Sequence, residues 1–363
     1  MKRAIVSVIN DLATDQRVHR HCLTLQAKGY DVVLIGRVHH GSATLAERSY
    51  TMYRMWLLVD KGPLFYAWFN IALFFQLLFR RADVYFANDL DTLLPNFIVS
   101  TLKRKPLIYD SHEYFTQVPE LVDRPRTQAI WATLEKAIVP RLKHAFTVSP
   151  AIAEAYQQQY GVKFQVLRNL PVLQEFKEVQ PVQPAVILYQ GAVNVGRGVD
   201  LAIRAMAFVD QAVLHIAGTG DVIEEMKQLS RDLKLENRVV FLGRIPFEKL
   251  AGFTQRASIG ISIEESLGLN YQYALPNKLF DYIHAQVPVL VANLPAMADV
   301  VTENGVGQIL VSREPEQVAA QLVGMLDADK QHEWRANCRT AALHLNWQKE
   351  VTVLEHLLES FHE

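Results

Sequence analysis

Arg197 stands in the stretch Tyr189-Gln190-Gly191-Ala192-Val193-Asn194-Val195-Gly196-Arg197-Gly198-Val199-Asp200-Leu201, between an apolar run and a helical pattern at Leu201, Ile203 and Met206. Gly191, Gly196 and Gly198 let the backbone approach a ligand closely, and a helix N-terminus favours an anion. A guanidinium at the mouth of such a turn can clamp phosphate oxygens. The spacing fits neither a Walker loop nor the dinucleotide fingerprint. The plain alternative is a strand-to-helix turn with a surface arginine.

A second constellation is Ile263-Glu264-Glu265-Ser266-Leu267-Gly268-Leu269-Asn270, followed by Pro276-Asn277-Lys278-Leu279-Phe280-Asp281. Carboxylates at a strand's end lie where open α/β sheets bind ligands. Pro276 suits a helix start, which places Lys278 in the first turn, against the macrodipole. A bound anion would explain a cation there. Asp281, three residues on, shares the helix face of Lys278 and can accept hydrogen bonds from both hydroxyls of a ribose. An ordinary surface Lys–Asp pair is the alternative. A third candidate, His112, lies in Tyr109-Asp110-Ser111-His112-Glu113-Tyr114 directly after an apolar run. Two further strand-end clusters, Asn10 to Arg17 and Asn88-Asp89-Leu90-Asp91, are expected to face the same cleft.

The elements that must position these residues form two series. Short apolar or β-branched runs at Ala4–Ile9, Val32–Ile35, Val84–Ala87, Leu107–Tyr109, Ala145–Val148 and Phe164–Leu167 alternate with stretches of helical length. A second series restarts at Ala185–Tyr189 and continues at Val213–Ile216, Val239–Leu242, Ile259–Ile263, Val287–Val291 and Gln308–Val311. Continuous apolar strands between helices imply parallel sheets covered on both faces. The expectation is therefore an α/β chain of two tandem, doubly wound Rossmann-like domains facing a cleft. Residues 1–170 form the first domain, the proline-bearing stretch 171–184 a linker, and 185–346 the second. Apolar residues at helical spacing from Trp347 to Phe361 predict a last helix, 347–361, packing back on the first domain.

At 363 residues two domains are the default. Cys22 and Cys338 are far apart and lack metal-ligand spacing, which argues against a disulfide framework or zinc ribbon and for a reducing compartment. The apolar run after Met1-Lys2-Arg3 is too short for a signal peptide and ends in Asn10-Asp11, as a first strand would. Residues 1–170 hold 21 of the 37 basic and 14 of the 38 acidic residues. That half has an excess of seven positive charges, the rest an excess of eight negative ones, so the first half suits an anionic partner. No charge falls within 62–79, yet Pro63, Asn70 and Gln76 interrupt the run. A single span there would split the first sheet. Two readings stay open: a core helix, or an aromatic-rich helix on a membrane surface near Lys61, Arg80, Arg81 and Lys103-Arg104-Lys105.

Taken together, these motifs resemble glycosyltransferase family 4, the retaining enzymes of the GT-B fold, over nearly the whole chain. The segment from Asn10 to Val18 resembles a bacterial polysaccharide subgroup. The resemblance implies transfer of a sugar from a nucleotide diphosphate sugar (UDP-, GDP- or dTDP-linked) to a glycan or lipid-linked acceptor. Glu265 then corresponds to the glutamate on the donor sugar, with Glu264 open as its alternative, and Asp281 to the acid that holds the ribose. His112 resembles the histidine near the sugar's outer hydroxyls. Arg197, Lys278, Gly191, Gly198 and the amides of Leu267, Gly268 and Leu269 would bind the diphosphate.

The chain departs from the family pattern in the fifteen residues between Glu265 and Asp281, in the aspartate itself, in Ala192 where an arginine is usual, and in Gln286 where a glycine is usual. Asp89 and Asp91 have a metal-like spacing but fall in the acceptor-side domain, so no metal or other cofactor is expected. Nor is a nucleic-acid partner. A cytoplasmic place, in contact with the inner face of the membrane if 62–79 lies on it, fits this reading. The alternatives are a GT-B sugar-nucleotide epimerase, using acids such as Asp89, Asp91 or Glu113, and a non-catalytic partner subunit.

Overall fold

Seven parallel strands make the first sheet: β1 (Lys2–Asp11), β2 (Tyr30–Arg37), β3 (Thr51–Met55), β4 (Val84–Asn88), β5 (Leu107–Ser111), β6 (His144–Thr147) and β7 (Gln165–Val166). Their order is β3-β2-β1-β4-β5-β6-β7. The computed structural model describes all residues except 14, 39–41, 43, 60–61, 119–120, 122–123, 177–181 and 362–363. Thr14, Lys61 and residues 177–181 of the expected linker therefore lie outside the described residues. The second sheet has six parallel strands, β8 (Ala185–Gln190), β9 (Ala212–Ala217), β10 (Val239–Gly243), β11 (Ile259–Ser262), β12 (Val289–Val291) and β13 (Gly307–Ile309), in the order β10-β9-β8-β11-β12-β13.

The central strands are apolar because helices cover both faces. Ala4, Ile5 and Val6 of β1, and Ile187, Leu188 and Tyr189 of β8, are essentially inaccessible. Strand order reverses between β1 and β4 and again between β8 and β11, and loops leaving the carboxyl ends at such a reversal open a crevice. The turn at Gly191 leaves β8 and the Glu264 loop leaves β11, so the order of the second sheet sets these two loops side by side.

Two compact units divide the chain, Met1–Asn169 with Val351–Glu363, and Leu170–Glu350. The stretch after Leu170 is less free than a linker: Leu173 and Phe176 pack against the core of the second unit. The final segment is two helices, Trp347–Glu350 and Thr352–Ser360, where a single helix was expected. The break at Val351 coincides with the change of unit. Leu354 and Leu358 are fully buried, and Lys28 lies 2.8 Å from Glu359 and 3.7 Å from Glu355. Both cysteines are buried as free thiols, and burial pushes their ionisation up, which makes them poor nucleophiles.

The uncharged helix Pro63–Phe79 is a core helix along one side. Phe65, Phe69, Leu73 and Leu77 enter the core with Ile5, Val33 and Tyr85, while its other side faces solvent.

Candidate active site

In the second unit Gly191, Gly196 and Gly198 all adopt positive φ, at 131°, 76° and 74°. A Cβ on Gly198 would run into the Ile263 carbonyl, and one on Gly196 into the Leu267 side chain. The Glu265 amide donates to the Gly196 carbonyl at 2.7 Å. Loops 191–198 and 263–269 are thus joined by backbone, and small residues are required where they touch.

Lys278 sits in the first turn of the helix Asn277–His284 and reaches under the glycine turn; a Cβ on Gly191 would lie 3.6 Å from its Cε. Its ammonium is 4.1 Å from the centre of the Tyr189 ring and 2.9 Å from Glu264 Oε1. Arg197 lies over the Tyr271 ring at 4.7 Å, and its guanidinium reaches to 4.0 Å from the same Glu264 oxygen. The Ser262 hydroxyl donates to Glu264 Oε2 at 2.9 Å. Burial alone would raise the Glu264 carboxyl, but Lys278 and these hydrogen bonds outweigh it and hold the group below the usual carboxylate range. The centre of the cluster is buried, with Lys278 8 % and Glu264 3 % exposed, while Arg197 is partly exposed. Yet neither Lys278 Nζ nor Arg197 Nε donates a well-directed hydrogen bond to the described residues. Two cations share one carboxylate here and keep donors to spare.

The two adjacent glutamates separate. Glu264 turns inward to the cations, while Glu265 is partly exposed and lies 3.6 Å from Arg313, whose guanidinium also donates to the Ile263 and Glu264 carbonyls. Asp281 accepts from Gln190 Nε2 at 3.0 Å, while the Lys278 ammonium lies against Glu264. Of the three expected amide donors, that of Leu267 is already turned to the Glu265 carbonyl. Gly268, at φ 116°, opens the short helix Leu269–Tyr273. Sequence reasoning had missed Tyr189 and Tyr271 as platforms, and Arg313 altogether. The tyrosines had a usable signal, since aromatic faces attract cations.

His112 is in the first unit, where both its ring nitrogens are engaged. Nδ1 is 3.0 Å from Asp89 Oδ2 and Nε2 is 3.0 Å from Asp110 Oδ2, while the His112 amide donates to Asp89 Oδ1 at 2.7 Å. The buried Asp110 is also gripped by Arg17 through bonds of 2.8 and 2.7 Å. Both ring nitrogens are thus directed at carboxylates. Asp89 holds this geometry at φ 62°, a strained backbone for a residue with a side chain.

Burial disfavours the imidazolium, but Asp89 and Asp110 outweigh burial and raise its pKa well above 6.5. A group whose pKa rises on folding adds stability that is complete below the unfolded value and is lost as pH climbs through the folded one. Melting temperature should therefore fall from pH 6.5 upward, and His112→Gln should flatten that slope. Equal slopes in the two proteins, followed by circular dichroism, would refute the imidazolium.

The Glycosyltransferase Family 4 model matches residues 15–170, and the Glycosyl transferases group 1 model matches residues 184–328. An uncharacterized glycosyltransferase of Methanocaldococcus jannaschii is 25 % identical over 138 residues, 37 % of this chain and 33 % of that protein. The match thus spans about a third of the relative's length. Among solved structures, sucrose-phosphate synthase from Thermosynechococcus elongatus superposes with a TM-score of 0.82 at 16 % identity, covering 100 % of this chain and 99 % of that one. Anabaena HepE, solved in complex with UDP and glucose, gives 0.74 at 15 % identity over 99 % of this chain and 100 % of its own. Two units of parallel strands, each matched by a glycosyltransferase model, make this chain a family-4-like glycosyltransferase of the GT-B fold.

Proposed function

We propose that the protein transfers a sugar, with retention, from a nucleoside diphosphate sugar to a hydroxyl of a glycan or lipid-linked acceptor in surface polysaccharide or glycoconjugate synthesis. The observation that carries this reading is the buried Lys278 with the partly exposed Arg197 beside it, donors left over next to a glycine turn. A diphosphate supplies the acceptors these cations lack. HepE, whose fold this chain shares, was solved with UDP-glucose as well.

In this mechanism the sugar–phosphate bond breaks and its electron pair leaves on the diphosphate. Lys278, Arg197 and the amides of Gly268 and Leu269 stabilise the charge that develops there. The acceptor oxygen bonds to the sugar carbon on the face the diphosphate leaves, and its proton passes to the departing phosphate oxygen. Asp281 exchanges Gln190 for the ribose hydroxyls. Glu265, the more accessible glutamate, meets the donor sugar, and Glu264 fixes the two cations. The neutralising charge is assigned to the protein's own cations and amides, so the reaction is expected to proceed without a metal in a cytoplasmic setting.

Nucleoside diphosphate release from UDP-, GDP- and dTDP-sugars, with and without acceptor glycans, tests the proposal. Release that depends on acceptor, and that falls in Arg197→Ala, is the expected result. A new sugar nucleotide formed without acceptor would identify an epimerase instead. No turnover and no thermal stabilisation by any donor would leave a non-catalytic subunit.

A further inference from the structure

Leu64, Trp68, Ile71, Phe75 and Phe79 follow one another along the helix Pro63–Phe79 at intervals of four, three, four and four residues. Each is between 43 and 81 % exposed. At the turn of an α-helix these five fall within an arc of about 80°. They lie opposite Phe65, Phe69, Leu73 and Leu77, which fill the core. A surface helix ordinarily carries polar groups on its solvent side, and this one carries large apolar side chains there. The rings of Phe75 and Phe79 stack on each other at 6.1 Å, and Leu102 of the neighbouring helix Leu90–Lys103 is 65 % exposed. Lys103 closes the end of the aromatic helix by donating to the Leu77 and Arg80 carbonyls.

Cations gather at that same end. Arg80 lies over the Tyr53 ring, and Arg81 and Arg104 are exposed with no ion pair among the described residues. Lys105 is matched by Asp83. Residues 1–170 as a whole carry seven more positive than negative charges. No helix among the described residues is long and apolar enough to cross a membrane.

We propose that this face docks on an anionic lipid bilayer. The helix lies flat in the headgroup layer, its aromatic side chains entering the acyl boundary and Arg81 and Arg104 meeting lipid phosphates. Charge favours this occupant over a second copy of the chain, because the helix has no acidic residue to receive a copy's arginines. The proposal is independent of the transfer reaction, since vesicle binding needs neither donor nor acceptor.

Flotation with vesicles of phosphatidylcholine alone, and with phosphatidylglycerol added, tests it. The protein should float with the anionic vesicles and stay below with the neutral ones. Phe75→Ser combined with Phe79→Ser should weaken binding about tenfold or more. Arg81→Ala and Arg104→Ala should each cost about fivefold and reduce the salt dependence. These side chains are exposed and lie outside the proposed donor site, so melting curves and turnover of a soluble acceptor should match the wild type. Wild-type protein that floats with neither vesicle, or variants that float as well as it does, would overturn the proposal. So would a wild-type dimer in solution that Phe75→Ser with Phe79→Ser converts to a monomer, since the face would then bind its own kind.

Discussion

Lys278→Ala is expected to lower kcat/KM for the sugar nucleotide by about a hundred- to a thousandfold, the loss typical when one preorganised charge is removed from a transition state. The same change should destabilise the fold by about 3–5 kcal/mol, because it strands a buried carboxylate. Glu264 is 3 % exposed, and Lys278, at 2.9 Å, is its nearest cation; Arg197 at 4.0 Å is a weaker substitute. In the wild type the Glu264 pKa is lowered on folding, so its contribution is present at neutral pH and lost as pH falls through the folded value. In Lys278→Ala burial is left less opposed, and lowering the pH should narrow the gap in melting temperature between variant and wild type. Pairing Lys278→Met with Glu264→Gln should recover most of the stability and none of the turnover. Melts and initial rates on the same preparations check both halves. A Lys278→Ala protein that turns over normally would sink the proposed site.

The other large effect is expected from Gly218→Ala, a change that touches no charged group. Gly218 follows β9, and a Cβ there would overlap the Gly191 carbonyl oxygen. The neighbourhood cannot give way cheaply, because the Gly191 amide is bonded to the Ala217 carbonyl and the Val193 amide to the Thr219 carbonyl, both at 3.0 Å. The methyl must displace the turn itself, and a misplacement of about 1 Å in a positioning element can cost about a hundredfold in rate. Gly252→Ala is the control: Gly252 lies in the helix Phe247–Thr254, and a Cβ there has nothing within 4 Å. Initial rates for the two variants should differ by about two orders of magnitude. Similar rates would mean that the glycine turn does not hold the donor.

Both sheets were legible in the sequence because their inner strands are buried on two sides and read as unbroken apolar runs, as at Ala4–Ile9 and Ala185–Tyr189. β3 was not foreseen. It is a sheet edge on which exposed Thr51 and Tyr53 break the run, so its pattern resembles a loop. The helix Leu269–Tyr273 escaped notice because five residues are too few to show a period. In the site, the displaced cation Lys278 could be read from its conflict with the helix dipole. Which glutamate it meets could not. Side chains at neighbouring positions leaving a strand point to opposite sides, and only the packing of Ser262 and Lys278 decides that Glu264 is the inward one. His112 was found as a polar residue after a strand, but its carboxylate partners come from two different strand ends, a juxtaposition created by β4 pairing with β5.

The helix Thr352–Ser360 belongs to the unit that begins at Met1, although the whole of Leu170–Glu350 is made before it. During synthesis the first sheet can therefore assemble early, but Lys28 must wait for Glu355 and Glu359, and the buried places of Leu354 and Leu358 stay unfilled. The second unit emerges as an insertion within the first. The order in which the ribosome delivers the chain thus makes the first unit to start folding also the last to finish.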